Sequence, residues 1–437
     1  MSDSVLSISS GLPELAAAAE SKRLARPGGR IPVLDGIRGI AILLVMTFHF
    51  WIVGIAGSSA SSTASSSPSG TLTWQHVYDY VAGMGWIGVD LFFVLSGFLI
   101  TGILCDSRES PHYFRVFYGR RTVRIFPLYY AALTIFFLIG PFVMGHVYRP
   151  ALADMQSGTT VKLFAWTYLL NWYEGFKGWT AVAHPLQHFW SLSVEEQFYL
   201  IWPFLVLKLA RRRLMGVCVG LMGVALALRA VMYWLHHPFA AYLWTICRAD
   251  SLAVGAIVAL AARDSGDWEL FLKWARRLAL PALGAVILGR VLNPRCTVGP
   301  GDTPTFFMNT FELTLAGIFF AACIALAVAS HRENLGHRLL ASPFLRFFGK
   351  YSYCLYICHL PIIVIFAKAG LNRAHLVGKL HSELLSVLVV DAVAFAVSIM
   401  IAFASWHLYE KQWLKLKDLR GLRREHQPFP AQLAVQD

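Results

Sequence analysis

Long apolar runs separated by short polar joints make up most of this chain of 437 residues. The runs occupy 34–55, 83–104, 125–143, 198–210, 217–235, 243–262, 278–292, 306–329, 351–369 and 384–409. A helix crossing a bilayer perpendicularly needs roughly 20 apolar residues. Most runs meet that length, and 198–210 and 278–292 are expected to extend into flanking polar residues. In hydrocarbon every backbone N–H and C=O must be satisfied within the protein, and the runs are far longer than barrel strands. The predicted fold is an all-α integral membrane protein of about ten transmembrane helices. Residues 161–173 are apolar but short, and counting them as a crossing would move Arg211–Arg213 to the other side. They are read as interfacial or re-entrant.

Basic residues fall on every second joint, as expected for cytoplasmic loops. Lys22, Arg23, Arg26 and Arg30 precede the first run, and further clusters lie at 115–124, 211–213, 263–277, 332–350 and 411–424. The opposite joints are an uncharged Ser-rich stretch at 57–70 and a Gly/Pro-rich one at 299–305. Both termini are therefore expected to be cytoplasmic, with tails at 1–30 and 414–437 around a transmembrane domain at 31–413. Residues 1–20 lack a charged segment followed by a long apolar core, so no cleaved signal peptide is expected.

Composition supports the membrane class: 57% of residues are hydrophobic, 14% are charged, and the mean hydropathy is +0.55. An ordinary soluble domain does not have this balance. The formal charge of +13 is dispersed among the joints, which argues against nucleic acid and for a membrane-lipid surface as the partner of the basic residues. Of the seven cysteines only Cys296 sits in an expected external loop, so no disulfide framework is implied. Cys354, Cys358 and His359 have a ligand-like spacing but no complementary second pair, and no metal is expected.

The candidate chemistry lies in ionisable residues inside the runs, each costing about 2.5–3.5 kcal/mol near the bilayer centre unless paired or facing a polar cavity. Asp35, Arg38 and His49 share one side of the first helix. Eleven residues separate Arg38 from His49, nearly three whole turns, which places them roughly 16 Å apart along the axis. A buried imidazole on a polar stripe is a natural general base; the competing reading is a structural histidine bonded to a neighbouring helix. Asp90, Glu195, Glu196, Arg248 and Asp250 are expected in the outer half, lining one cavity. Arg248 and Asp250 alternatively pair with each other to hold helices together. His188 precedes Glu195 by seven residues and shares a face with it if that stretch is helical. Arg120, Arg121 and Arg124 precede the third helix, where they either grip phosphates bidentately or anchor the helix at the interface.

The order of motifs resembles the acyltransferase 3 family over nearly the whole chain. It is carried by LDGIRGIAILLVMTFHF at 34–50, GVDLFFVLSGFLIT at 88–101, YGRRTVRIFPLYY at 118–130, HFWSLSVEEQFYLIWP at 188–203, RADSLAVGAIVA at 248–259, YSYCLYICHLPI at 351–362 and HLYEKQW at 407–413. The resemblance implies transfer of an acetyl or other short acyl group from acyl-CoA to a hydroxyl of a sugar-containing acceptor, an extracytoplasmic polysaccharide or a glycolipid. The family's Arg-x10-His pattern falls on Arg38 and His49, and its RxxR pattern on Arg121 and Arg124, with Arg120 an extra basic neighbour. Some relatives carry a C-terminal SGNH esterase-like domain. None is expected after 413 here, leaving transfer to this chain alone or to a separate partner.

Together these readings put the phosphates of acyl-CoA, acetyl-CoA as the expected donor, against Arg120, Arg121 and Arg124 at the cytoplasmic mouth. His49 acts as general base or acyl carrier, with Arg38 and Asp35 organising the donor end. Asp90, Ser96, His188, Trp190, Glu195, Glu196, Arg248, Asp250, Tyr356 and His359 are the expected substrate-lining set, among which Ser96, Arg248 or Tyr356 could stabilise the oxyanion. Ser96 lacks a GxSxG elbow, so beside Gly97 it is read as a packing position rather than a nucleophile. Two other functions fit: acylation of a macrolide or other small glycoside, and, in a different class, transport of a sugar or lipid by the same intramembrane charges.

Overall fold

The computed structural model describes residues 31–56, 74–139, 158–292, 305–418 and Leu422. The tail at 1–30, the Ser-rich joint at 57–70, Cys296, most of the joint at 299–305 and nearly all of the C-terminal tail lie outside the described residues. Among the described residues every regular element is helical: α1 (Pro32–Ala56), α2 (Trp74–Gly83), α3 (Gly88–Asp106), α4 (Tyr113–Thr134), α5 (Thr159–Trp166), α6 (Leu170–Lys177), α7 (Trp190–Lys208), α8 (Arg211–Trp234), α9 (Pro238–Leu243), α10 (Thr245–Ala261), α11 (Ser265–Leu292), α12 (Leu313–Val328), α13 (Leu335–Leu340), α14 (Pro343–Lys368), α15 (Arg373–Leu380) and α16 (Glu383–Ser405), with short helical turns between them.

Each expected crossing is met by a long helix, and among the described residues eight helical segments are long and apolar enough to cross a membrane. The other two expected crossings, α7 and α11, are helices of 19 and 28 residues. Their charges dilute the apolar signal: Glu195, Glu196 and Lys208 on α7, and the acidic and basic first half of α11. As anticipated, both short runs are extended, at their N-terminal ends, to Trp190 and Ser265. The interfacial segment resolves into two short helices, α5 and α6.

The outer helices show the inverse of a soluble protein. Leu200, Ile201, Val219, Val231, Leu280, Leu288 and Met400 are exposed, while α3 and α10 are buried on nearly all sides. Apolar side chains facing outward need an apolar solvent. The molecule is a multi-pass membrane protein.

The two most extensive helix pairs are α1 with α14 and α3 with α10, and both depend on glycine. A Cβ added to Gly39 would lie 2.1 Å from the carbonyl oxygen of Leu345, and one on Gly349 would lie 1.8 Å from that of Asp35. At the second crossing, Cβ atoms on Gly97 and Gly255 would lie 1.9 and 2.0 Å from the carbonyl oxygens of Leu252 and Val94. Backbone touches backbone here. Such contact maximises dispersion between helices where lipid removes the hydrophobic driving force.

Several basic joints are tied together at one end of the bundle. Arg263 bonds Asp106 and the carbonyl oxygen of Gly102, Arg211 bonds Asp264 and Asp267, and Arg108 donates to the carbonyl of Leu207 at 2.9 Å. The joints after α3, α7 and α10 therefore share a side.

Gly97→Val is expected to cost about 3 kcal/mol or more, because neither crossing backbone can yield. Gly216→Ala, on an open face of α8 with nothing within 4 Å, should instead stabilise slightly. Thermal unfolding in detergent measures both, and a Gly97→Val protein as stable as wild type would refute the close-contact account.

Candidate functional site

The α1–α14 crossing sets two histidines against each other in the bundle interior. His49 Nδ1 lies 2.9 Å from the carbonyl oxygen of Val45 and 3.1 Å from Nε2 of His359. His359 Nδ1 in turn lies 2.9 and 2.8 Å from the carbonyls of Leu355 and Tyr356. Carbonyl oxygens only accept, so both Nδ1 atoms carry the proton. His359 therefore presents an unprotonated Nε2 that receives the His49 Nδ1–H, and the lone pair of His49 is on Nε2. A third imidazole, His188, comes from the helical turn His184–Phe189, with ring centres 5.0 Å from His359 and 6.1 Å from His49. His188 and His359 are buried, whereas His49 is partly open. Of the three, His49 is the most exposed.

Tyr356 links this chamber to a second group of charges. Its hydroxyl donates to the His188 carbonyl at 2.9 Å, exchanges a hydrogen bond with Ser191, and is in electrostatic range of Glu195. Glu195 faces Arg121, Arg38 and the hydroxyls of Ser96 and Tyr199, which bond each other. The Arg121 guanidinium lies 4.5 Å above the Tyr199 ring, and Glu196 is also within its field. Arg38 makes an i,i+3 ion pair with Asp35 at 3.6 Å, both side chains remaining partly open. Glu195 and Glu196 thus group with Arg38 and Arg121, not with Asp90 and Arg248 as the expectation of a single outer cavity required.

The arginine trio divides. Arg121 points inward, Arg120 donates to the carbonyl of Leu422 at 3.0 Å, and Arg124 is exposed beside Glu410. Successive helix positions rotate by about 100°, which separates Arg120 from Arg121, whereas Arg124 shares the side of Arg121 nearly one turn further along.

The expected pairing of Arg248 with Asp250 is corrected. Arg248 pairs with Asp90 at 2.8 Å, also receiving cover from the rings of Phe93, Trp190 and Tyr242 at 5.3, 5.7 and 5.0 Å. Asp250 pairs with Arg229 at 2.8 Å, and this second pair is saturated. Arg229 also donates to the carbonyls of Thr310 and Cys247 and to Thr314, which donates to Asp250. Asp250 therefore holds α8, α10 and α12 together and does not line a cavity. A third pair, Arg290 with Glu312 at 2.6 Å, lies near Trp86. From His188 to Glu195 the chain is helical throughout, a tight turn over His184–Phe189 running directly into α7, so the condition for a shared face is met. His359, expected against substrate, stands behind His49.

Sequence reading missed Arg229, Arg290, Glu312, Tyr199, Tyr242 and Glu174. The three partners of buried charges were legible as ionisable residues at the edges or middle of apolar runs. Glu174 lay one residue past the interfacial segment. It sits on α6, outside the membrane-spanning helices, where burial pushes its carboxyl well above the usual range.

A family model described as an acyltransferase domain matches residues 31–407. YrhL of Bacillus subtilis, provisionally named a peptidoglycan O-acetyltransferase, is 30% identical over 353 residues, covering 77% of this chain and 49% of the relative. The peptidoglycan O-acetyltransferase OatA of Listeria monocytogenes is 26% identical over 353 residues, 77% of this chain and 50% of its own length. The O-acetyltransferase OatA of Staphylococcus aureus is 26% identical over 351 residues, with 76% and 51% covered. The chain spans about half the length of these curated relatives. No solved structure matches.

Removing one member of the saturated pair strands a buried charge. Arg229→Leu and Asp250→Leu should each cost about 3–5 kcal/mol, while the double variant should be markedly less damaged than their sum. Denaturation of the four proteins in one detergent gives the coupling, and strict additivity would contradict a direct pair.

Proposed function

Because the chain belongs to the acyltransferase 3 family of membrane proteins, we propose that it transfers an acetyl group from acetyl-CoA to a sugar hydroxyl of a peptidoglycan-type glycan. The observation that carries this reading is the continuous polar stripe from Arg38 and Arg121 through Glu195 and Tyr356 to His49, whose Nε2 is the free lone pair. The names of the relatives support a cell-wall glycan as acceptor. Membrane lipid surrounds the outer helices as solvent.

In this reading the anionic end of acetyl-CoA rests against Arg38 and Arg121, with Arg120 and Arg124 at the rim. Charge-assisted, bidentate contacts with phosphate suit guanidinium groups. The thioester reaches along α1 toward His49, a separation of roughly 16 Å on helical rise, and the acceptor enters from the far side. His49 Nε2 takes the proton of the acceptor hydroxyl as its oxygen attacks the thioester carbonyl carbon. The C–S bond then breaks, the acetyl group stays on the sugar oxygen, and the departing thiolate takes the proton back from His49. The imidazolium formed in between keeps its Nδ1–H on Val45 and His359, which fixes the ring and stabilises its charge. Asp35 orients Arg38, and the Arg248 side chain supplies positive field near the developing oxyanion.

Protein in lipid nanodiscs tests this directly. Wild type should release thiol from acetyl-CoA in the presence of peptidoglycan oligosaccharides. His49→Ala should bind acetyl-CoA normally yet lose transfer by about 10²–10⁴-fold. Thiol release unaffected by His49→Ala would overturn the role of this residue, and its absence from wild type the reaction itself.

Arg121→Ala should weaken acetyl-CoA binding by about tenfold or more, with Arg124→Ala showing a smaller loss. Calorimetry decides this, and unchanged affinity in both would remove the phosphate role. A stoichiometric burst of thiol without acceptor would indicate that His49 carries the acetyl group covalently before passing it on.

A further inference from the structure

Buried polar groups without partners collect in one neighbourhood of this protein. Glu174 is 0% exposed, and neither carboxylate oxygen has a hydrogen-bond partner. Nε and Nη1 of Arg248 and the indole N–H of Trp179 are in the same condition. Buried polar atoms in folded proteins nearly always have a partner, from the protein or from water, and an orphan costs about 1–3 kcal/mol.

These orphans surround two tyrosines. Tyr356 has its ring 5.1 Å from that of His188 and lies in electrostatic range of Glu174 and Tyr242. The Tyr242 ring lies 5.0 Å from the Arg248 guanidinium and 6.1 Å from the Trp179 ring. A wall of aromatic faces interleaved with unsatisfied donors and acceptors, next to the His49 chamber, has the chemistry of a site for a polar ligand with apolar faces. A sugar ring is such a ligand. Arg248 and His188 have other duties, the first in its ion pair with Asp90 and the second packed against the other imidazoles. Glu174 has none.

We propose that Glu174 is a specificity-determining residue for the acceptor, its carboxyl hydrogen-bonding a hydroxyl or amide of the sugar that is brought to His49. This inference rests on the acetyl-transfer reading and deepens it. Burial raises the affinity of the carboxyl for its proton, and in the protonated form it both donates and accepts, as a ring substituent requires. A site built to hydrogen-bond a sugar group rejects a ligand lacking that group, because its own buried atoms are then left orphaned.

The test compares wild type, Glu174→Gln and Glu174→Leu in nanodiscs, with a soluble peptidoglycan oligosaccharide as acceptor. Glu174→Leu should raise the acceptor KM and weaken calorimetric oligosaccharide binding by about tenfold, at unchanged acetyl-CoA affinity. Its thermal stability should be equal or higher, since the orphaned carboxyl is gone. Glu174→Gln, neutral and able to donate and accept, should stay within about threefold of wild type.

Glu174→Leu with wild-type acceptor KM and oligosaccharide affinity overturns the inference. So does a loss of stability that leaves both parameters intact, and so does wild type that binds no oligosaccharide. If wild type binds oligosaccharide in a Glu174-dependent way but releases no thiol from acetyl-CoA, Glu174 keeps its role and the acetyl-transfer reading falls.

Discussion

Backbone-to-backbone contact at two glycine-lined helix crossings is the constraint on which the rest of this structure depends. In lipid, helices gain nothing from merely hiding apolar side chains from their surroundings, so association rests on dispersion, hydrogen bonds and charge. Gly39 and Gly349 let α1 and α14 touch, and Gly97 and Gly255 do the same for α3 and α10. The first contact brings His49 within hydrogen-bond distance of His359. The second carries Asp90 to Arg248. Added side chains at these glycines would move each pair apart by more than either polar contact tolerates.

Three buried ion pairs divide by how completely they are satisfied. Arg229 and Asp250 spend their polar atoms on each other and on Thr314, Cys247 and Thr310, which makes them a rivet between helices. Arg248 and Asp90 leave Nε, Nη1 and one carboxylate oxygen without partners. In a low-dielectric interior a saturated network rigidifies, whereas an unsaturated one holds field in reserve for something polar. The distinction separates charges that build the bundle from charges available to a ligand. Both kinds look alike along the chain.

The histidine chamber gains its direction from a chain of carbonyl acceptors. His359 is locked by Leu355 and Tyr356, and His49 by Val45 and His359, which leaves the lone pair of His49 on Nε2. Nothing ionised is needed to set this tautomer. That suits a residue expected to take a proton and then return it within one turnover.

The membrane class, the long helices, the shared phase of Arg38 and His49 on α1 and the family were legible in the sequence because each depends on local properties: run length, helical phase and motif order. Helix geometry alone kept Arg38 and His49 in phase. The partners were not legible. Arg248 goes to Asp90 and Asp250 to Arg229 because helix packing, not sequence proximity, decides which charges meet. Arg121 joins Arg38 and Glu195, while Arg120 is rotated to another side of α4 and Arg124 lies nearly a turn further along, beside Glu410. His188 and His359 meet His49 from segments far apart in the chain. Glu174 carries no periodic signal at all, and only the burial of α6 beneath its neighbours makes its carboxyl conspicuous. Apolar run length is a property of the chain; pairing among buried polar groups is a property of distance, which tertiary structure alone sets.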